Sequence, residues 1–275
     1  MIRRSIGLLT LTLAAALTAL PLWAHEGMHE QIASLTRRIA NDPKNGTLYL
    51  QRGELYRLHT EYKLARADYD KAAKLDSSLP IEFARGRMYV EAKQPATAKK
   101  HLDRFIAQNP NHSEAFLMRG RALVALGRAA DAVADYDAAI EHESQPTPDM
   151  YHERAKVIAS TGKTDDALRG LDAGIARLGP IVSLQRQAIE LEVAAGHYDR
   201  ALARLETIAD QSPRKEYYLA DRGEILEKAG RTAEAQAAYR DALERIATLP
   251  GPRQNSKMTR DLTERLQAAL KRATK

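Results

Sequence analysis

The residues best placed to do chemistry lie near the start of the chain. His25-Glu26-Gly27-Met28-His29 satisfies H-E-x-x-H, the pattern in which two histidines on successive helical turns bind zinc and the glutamate acts on the attacking water. That chemistry needs a buried helix and a further ligand from a shaped cleft. Gly27 weakens a helix here and the motif opens the expected mature chain, so a protease is not expected and the segment reads as a plain flexible terminus.

A second chemistry starts from the same residues. If processing leaves His25 first, its free amine and imidazole join the imidazole of His29 in a nitrogen donor set suited to Cu(II) or Ni(II). His25 and His29 are the candidate metal ligands, and no other cofactor is expected. His59, His101, His112, His142, His152 and His197 are scattered without ligand spacing. Gly162-Lys163-Thr164 resembles the tail of a phosphate-binding loop, but Val157 occupies the place of its leading glycine. No G-x-S-x-G elbow is present, and an enzyme is not expected.

Residues 1–24 read as a secretory signal. Arg3 and Arg4 give a charged start, the run from Ile6 to Ala19 is apolar or small, and Pro21 ends it ahead of Leu22-Trp23-Ala24. Cleavage is expected after Ala24, which makes the mature protein periplasmic or secreted. The run is shorter than the ~20 residues of a spanning helix, so no membrane span is expected in the mature chain. Ser5-Ile6-Gly7 continues a twin-arginine signal poorly.

Without that leader the chain keeps 40 of its 42 basic residues against 36 acidic ones, a net charge of about +4. This mild excess, with no basic stripe interleaved with aromatics, argues against a nucleic-acid partner. The absence of cysteine excludes disulfides and thiolate metal sites.

The elements that carry these residues are repetitive. Ala65, Ala98, Ala132, Ala167, Ala201 and Ala235 follow one another at intervals of 33, 34, 35, 34 and 34 residues. Twelve residues before each stands Gly53, Gly86, Gly120, Ala155, Ile189 or Gly223; four residues after each stands Tyr69, Leu102, Tyr136, Leu171, Leu205 or Tyr239. Apolar spacing near 3.6 residues places a helix on either side of a turn at Thr60, Lys93, Gly127, Gly162, Gly196 or Gly230. The small residues let two helices approach closely, and the Tyr or Leu fills the space to the next hairpin.

In "YLQRGELYRLHTEYKLARADYDKAAKLD" and "FLMRGRALVALGRAADAVADYDAAIEHE" the pattern resembles the tetratricopeptide repeat, W-x2-L-G-x2-Y…A-x3-F…P. The resemblance implies an all-α fold, a right-handed solenoid of about six helical hairpins over 46–249, in units near 46–78, 79–112, 113–147, 148–181, 182–215 and 216–249. An N-terminal segment with a capping helix, 25–45 and helical from Gln31 to Asn41, precedes them, and a C-terminal capping helix, 250–275, follows. The fifth unit departs, with Ile189 for a small residue and Glu192 for a large apolar one, and is expected to be looser or shifted in register.

One charged pair recurs. Arg52, Arg85, Arg119 and Arg154 precede the small residue of the first helix, and Asp70, Asp103, Asp137 and Asp172 lie eighteen residues further on. These are expected to tie the two helices of each hairpin together.

The resemblance also implies that a peptide or protein segment binds in a concave groove lined by the first helices. The positions carried over are Leu50, Gln51 and Glu54; Phe83, Arg87 and Val90; Leu117, Met118, Arg121 and Val124; His152, Glu153 and Lys156; Arg186, Gln187 and Glu190; and Asp221, Glu224 and Lys228. Phe83, Arg87, Leu117, Met118 and Arg121 form the preferred contact patch, because apolar and arginine anchors dominate interface energies. An interaction scaffold of the envelope is therefore the leading expectation, and an envelope metal-handling protein using His25 and His29 the alternative.

Overall fold

The computed structural model describes residues 22–210 and 212–272, with the backbone alone for 22–26 and Asp210. The expected leader lies outside the described residues except for Leu22–Ala24, and every described element is helical. The described residues divide into two compact units, one up to Lys93 and one from Gln94 onward.

The first unit holds α1 (Leu22–Asn41), α2 (Gly46–Leu58), α3 (Tyr62–Leu75) and α4 (Ile81–Glu91). Leu35 and Ile39 of α1 bury against Leu48, which caps the first hairpin, α2 with α3. The helix starts at Leu22, nine residues before the expected Gln31, so the HEGMH segment is helical and the expected flexible terminus is corrected. One glycine costs a helix only about 1 kcal/mol, and Ala24, Glu26, Met28 and Glu30 around it favour a helix. Ala65, Tyr69 and Ala72 of α3 then pack with Ile81, Ala84 and Met88 of α4.

The second unit runs α5 (Pro95–Gln108), α6 (Ser113–Ala125), α7 (Ala129–His142), α8 (Pro148–Ser160), α9 (Thr164–Leu178), α10 (Val182–Ala194), α11 (Tyr198–Asp210), α12 (Lys215–Lys228), α13 (Thr232–Ala247), α14 (Gly251–Gln254) and α15 (Lys257–Arg272). Four hairpins, α6–α7, α8–α9, α10–α11 and α12–α13, stack through apolar clusters. Leu262, Leu266 and Ala269 of α15 cover the last, on Tyr239 and Ile246. The six periodic alanines are all at most 2% exposed, so the period of the sequence is the period of the core.

The six turn residues all adopt left-handed backbone, from φ 55° at Lys93 to φ 82° at Gly162. Four are glycines, which reach that region freely; Thr60, at φ 61°, reaches it with a β-branched side chain. In the fifth hairpin the turn at Gly196 and the fully buried Ala201 keep their places, and Ile189 and Glu192 of α10 are buried.

The recurring arginines are arranged differently from expectation. Arg52 and Arg119 each clasp an aspartate of their own hairpin with two hydrogen bonds, but it is Asp68 or Asp135, sixteen residues on. The aspartates expected in that role reach the following hairpin instead: Asp70 meets Arg85 at 2.6 Å, Asp103 meets Arg119 at 3.1 Å, and Asp137 meets Arg154. Two residues is about 200° of helix, so the carboxylates at the two spacings point to opposite sides of the second helix.

Candidate functional site

The candidate residues fall in both units. In the first, α4 carries Phe83, Arg87 and Val90 along one face, all half-buried. The Arg87 guanidinium lies 5.3 Å from the centroid of the Phe83 ring and pairs with Glu54 of α2. Glu54 also accepts from Arg57 Nε at 3.1 Å and from the Tyr69 hydroxyl at 2.6 Å. Burial and that hydrogen bond push the Tyr69 phenol far above its ordinary range, so it stays a donor. On α1, the exposed His29 meets His59, with ring centroids 4.8 Å apart.

In the second unit α6 carries Leu117, Met118 and Arg121 half-buried and Val124 exposed. Leu117 is shared between this face and the cluster of Leu123, Ala132, Tyr136 and Val157. Arg121 grips Glu153 of α8 through Nη2 at 2.6 Å and Nε at 2.9 Å, and Tyr136 donates to the same carboxylate at 2.9 Å. Burial pushes the Glu153 carboxyl up, but the Arg121 hydrogen bonds and charge, with Tyr136, outweigh it and hold the group below the ordinary range.

Further along, His152 pairs with Gln187 of α10, whose amide donates back to the His152 carbonyl at 3.2 Å. Arg186 meets Asp221 of α12 at 3.3 Å and lies 5.5 Å from the Tyr218 ring centroid. Lys156 is exposed.

Arg87 and Arg121 are thus not bare receptors for anions; a partner's carboxylate would have to compete with Glu54 or Glu153. On this face of the second unit Val124 is 43% exposed and Met118 half-buried. Both acids are groove positions in the sequence, and the structure pairs each with an arginine of the neighbouring repeat. The signal was available, because Glu54–Arg87 and Arg121–Glu153 are separated by 33 and 32 residues, close to one repeat. Among the described residues no three His, Asp or Glu side chains converge on a metal position.

The tetratricopeptide repeat model matches residues 83–150, 117–180 and 187–250, more than half of the chain. No curated protein matches. A tetratricopeptide repeat protein from Parabacteroides merdae ATCC 43184 is 19% identical with a TM-score of 0.55, over 92% of this chain and 95% of that one. A chain of the Naa15/Naa10 structure bound to HypK-THB is 15% identical with a TM-score of 0.53, over 90% of this chain and 40% of that one. MamA 41-end from Desulfovibrio magneticus RS-1 is 15% identical with a TM-score of 0.51, over 57% and 88%. At these identities the likeness is one of fold. With the family model over most of the hairpins and the buried alanines at its period, the chain belongs to the tetratricopeptide repeat family.

Proposed function

We propose that this protein is a non-catalytic scaffold of the cell envelope that takes a peptide or protein segment along its first-helix faces. The observation that carries the reading is the α6 face, where Val124 stays open to solvent and Met118 is only half-buried although the adjacent arginine is satisfied by Glu153. Apolar side chains with water on one side and a fixed ion pair beside them suit an apolar anchor from a partner. Family membership supports an interaction role, and the apolar leader expected at residues 1–24 supports export. No helix among the described residues is long and apolar enough to cross a membrane.

The test is a photo-crosslinking phenylalanine analogue placed at Val124 or, on another surface, at the exposed Arg245, in the full chain expressed with its leader. A partner adduct from position 124 that disappears in Leu117→Glu/Arg121→Glu supports the reading. Equal adducts from both positions would refute it.

A second reading is favoured by the His29–His59 contact, which adds an imidazole to the pair of histidines four residues apart on α1. Such a set suits Cu(II) or Ni(II). Isothermal titration with each metal, comparing the processed chain with His25→Ala/His29→Ala, separates the two: equal affinities eliminate the metal reading.

A further inference from the structure

A groove of the second unit, about 850 Å³, lies away from the first-helix face, between α7 and α9 with α8 as its floor. Its bed is apolar, built from Val133 and Ile140 of α7, Ile158 of α8 and Ala173 of α9. Its central charge is an arginine whose own hairpin supplies no carboxylate at the place where two other hairpins do. In the first and third hairpins the residue three after the periodic alanine is Asp68 or Asp135, which neutralises Arg52 or Arg119 through two hydrogen bonds. In the fourth hairpin that residue is Gly170, and the guanidinium of Arg154 lies over it where a Cβ would fall. Arg154 keeps Asp137 of the preceding hairpin and lacks the carboxylate of its own.

Three further cations border the groove, of which Arg169 pairs with Asp166. Among the described residues neither Lys163, exposed at the start of α9, nor Arg177 makes an ion pair; Arg177 donates to the carbonyls of Ile140 and Glu143 at 3.1 and 2.8 Å. The comparable groove beside the sixth hairpin is half as large, 430 Å³, and sets three cations against Asp199 and Glu206, where the first sets four against Asp137 and Asp166. The fourth hairpin therefore joins an apolar bed to an arginine short of one acid, with surplus positive charge at the rim.

We propose that this groove binds a peptide segment of a partner protein that carries an acidic residue between apolar ones, its carboxylate taking the place on Arg154 that Asp135 takes on Arg119. Apolar side chains on either side fill the bed. A charge-assisted hydrogen bond to a half-buried guanidinium fixes the register, and the apolar contacts hold the segment. The inference is independent of the first-helix face.

The experiment is fluorescence anisotropy on the full chain with a rhodamine-labelled decapeptide of leucine and serine carrying one central glutamate, against its glutamine counterpart. The glutamate peptide is expected to bind at least tenfold more tightly. Gly170→Asp restores the missing carboxylate within the chain: it erases that preference while the melting temperature stays equal or rises. Lys163→Glu, at an exposed site, lowers affinity for the glutamate peptide at least fivefold, and Arg245→Glu, on another exposed surface, leaves it unchanged. Equal binding of the two peptides, a preference untouched by Gly170→Asp and Lys163→Glu, or a loss in Arg245→Glu overturns the proposal. So does a dimer in sedimentation that Gly170→Asp dissociates, which would assign the groove to a second copy of the chain.

Discussion

The third hairpin, α6–α7, and the fifth, α10–α11, solve one electrostatic problem with residues from opposite helices. In the third, Arg119 of the first helix clasps Asp135 at 2.7 and 2.8 Å and reaches back to Asp103 with Nη1 at 3.1 Å. In the fifth that arginine is Ala188, and Arg204 of the second helix supplies the guanidinium. It clasps Glu192 at 3.0 and 3.3 Å and reaches back to Asp172 with Nη1 at 2.8 Å. In both hairpins a guanidinium sits between an acid of its own hairpin and an acid of the one before, and either helix can supply it. Apolar volume is exchanged as well: Gly120 with Tyr136 in the third becomes Ile189 with Leu205 in the fifth.

The largest expected effect tests the charge exchange. Glu192 has a side chain only 1% exposed, so Arg204→Ala leaves it with Arg200 alone, 3.5 Å away. Removing one partner of a buried pair should cost about 3 kcal/mol in urea denaturation. Arg119→Ala strands the somewhat more exposed Asp135 and should cost about 2 kcal/mol. If the pairing is the cause, Arg204→Leu/Glu192→Leu recovers most of the loss. A double variant no better than Arg204→Ala breaks the comparison.

The volume exchange predicts opposite signs at two glycines. A Cβ on Gly120 would sit 3.5 Å from its nearest neighbours, an ordinary contact, so Gly120→Ala should stabilise by about 0.5–1 kcal/mol through helix propensity. A Cβ on Gly223 would fall on the Tyr239 ring, whose hydroxyl is tied to Glu227 at 2.7 Å. Gly223→Ala should therefore destabilise by about 1–2 kcal/mol. Tyr239→Leu, copying the Leu205 of the fifth hairpin, should relieve that clash, so the alanine costs less beside leucine than beside tyrosine.

The hairpins of each unit and the six turns were legible in the sequence because close helix packing needs an alanine or glycine at one place per repeat and a left-handed turn at another. The partners of the arginines were not. The sequence offers aspartates at both sixteen and eighteen residues, and which one faces its own hairpin depends on the rotation of the second helix, which spacing from the alanine does not reveal. Glu192 looked like a defect for the same reason, since Arg204 that answers it stands twelve residues away on the other helix. The candidate face was legible as positions on α4, α6, α8 and α10. Its satisfied state was not, because Glu54–Arg87 and Arg121–Glu153 join different repeats.

The turns carry a third contrast. Gly127 and Gly196 hold the left-handed position in the third and fifth hairpins, while Thr60 holds it in the first. A β-branched residue there is strained by about 1 kcal/mol or more. Thr60→Gly should raise stability by about 0.5–1 kcal/mol, after the greater flexibility of glycine in the unfolded chain is subtracted. Gly127→Thr should lower it by more. Matched thermal melts of the two variants check the sign of each.

The smallest effect lies on the candidate face itself. At the position of Arg121 the fifth hairpin carries Glu190, exposed and without an ion pair among the described residues, so only the third hairpin has the clasp on Glu153. Because the folded protein holds the Glu153 carboxyl below its ordinary value, the unfolded chain takes up that proton first as pH falls. The pair's contribution is therefore fully present above the ordinary carboxylate value near ~4.3 and is lost as pH drops through the lower, folded value. With both side chains about a third exposed, solvent screening keeps the effect below ~1 kcal/mol. Glu153→Gln should flatten the acid limb of a stability–pH curve measured below about pH 5, while Glu190→Gln leaves it unchanged. An equal response from both would mean that the Arg121–Glu153 pair adds no stability of its own and serves only to hold the face in shape.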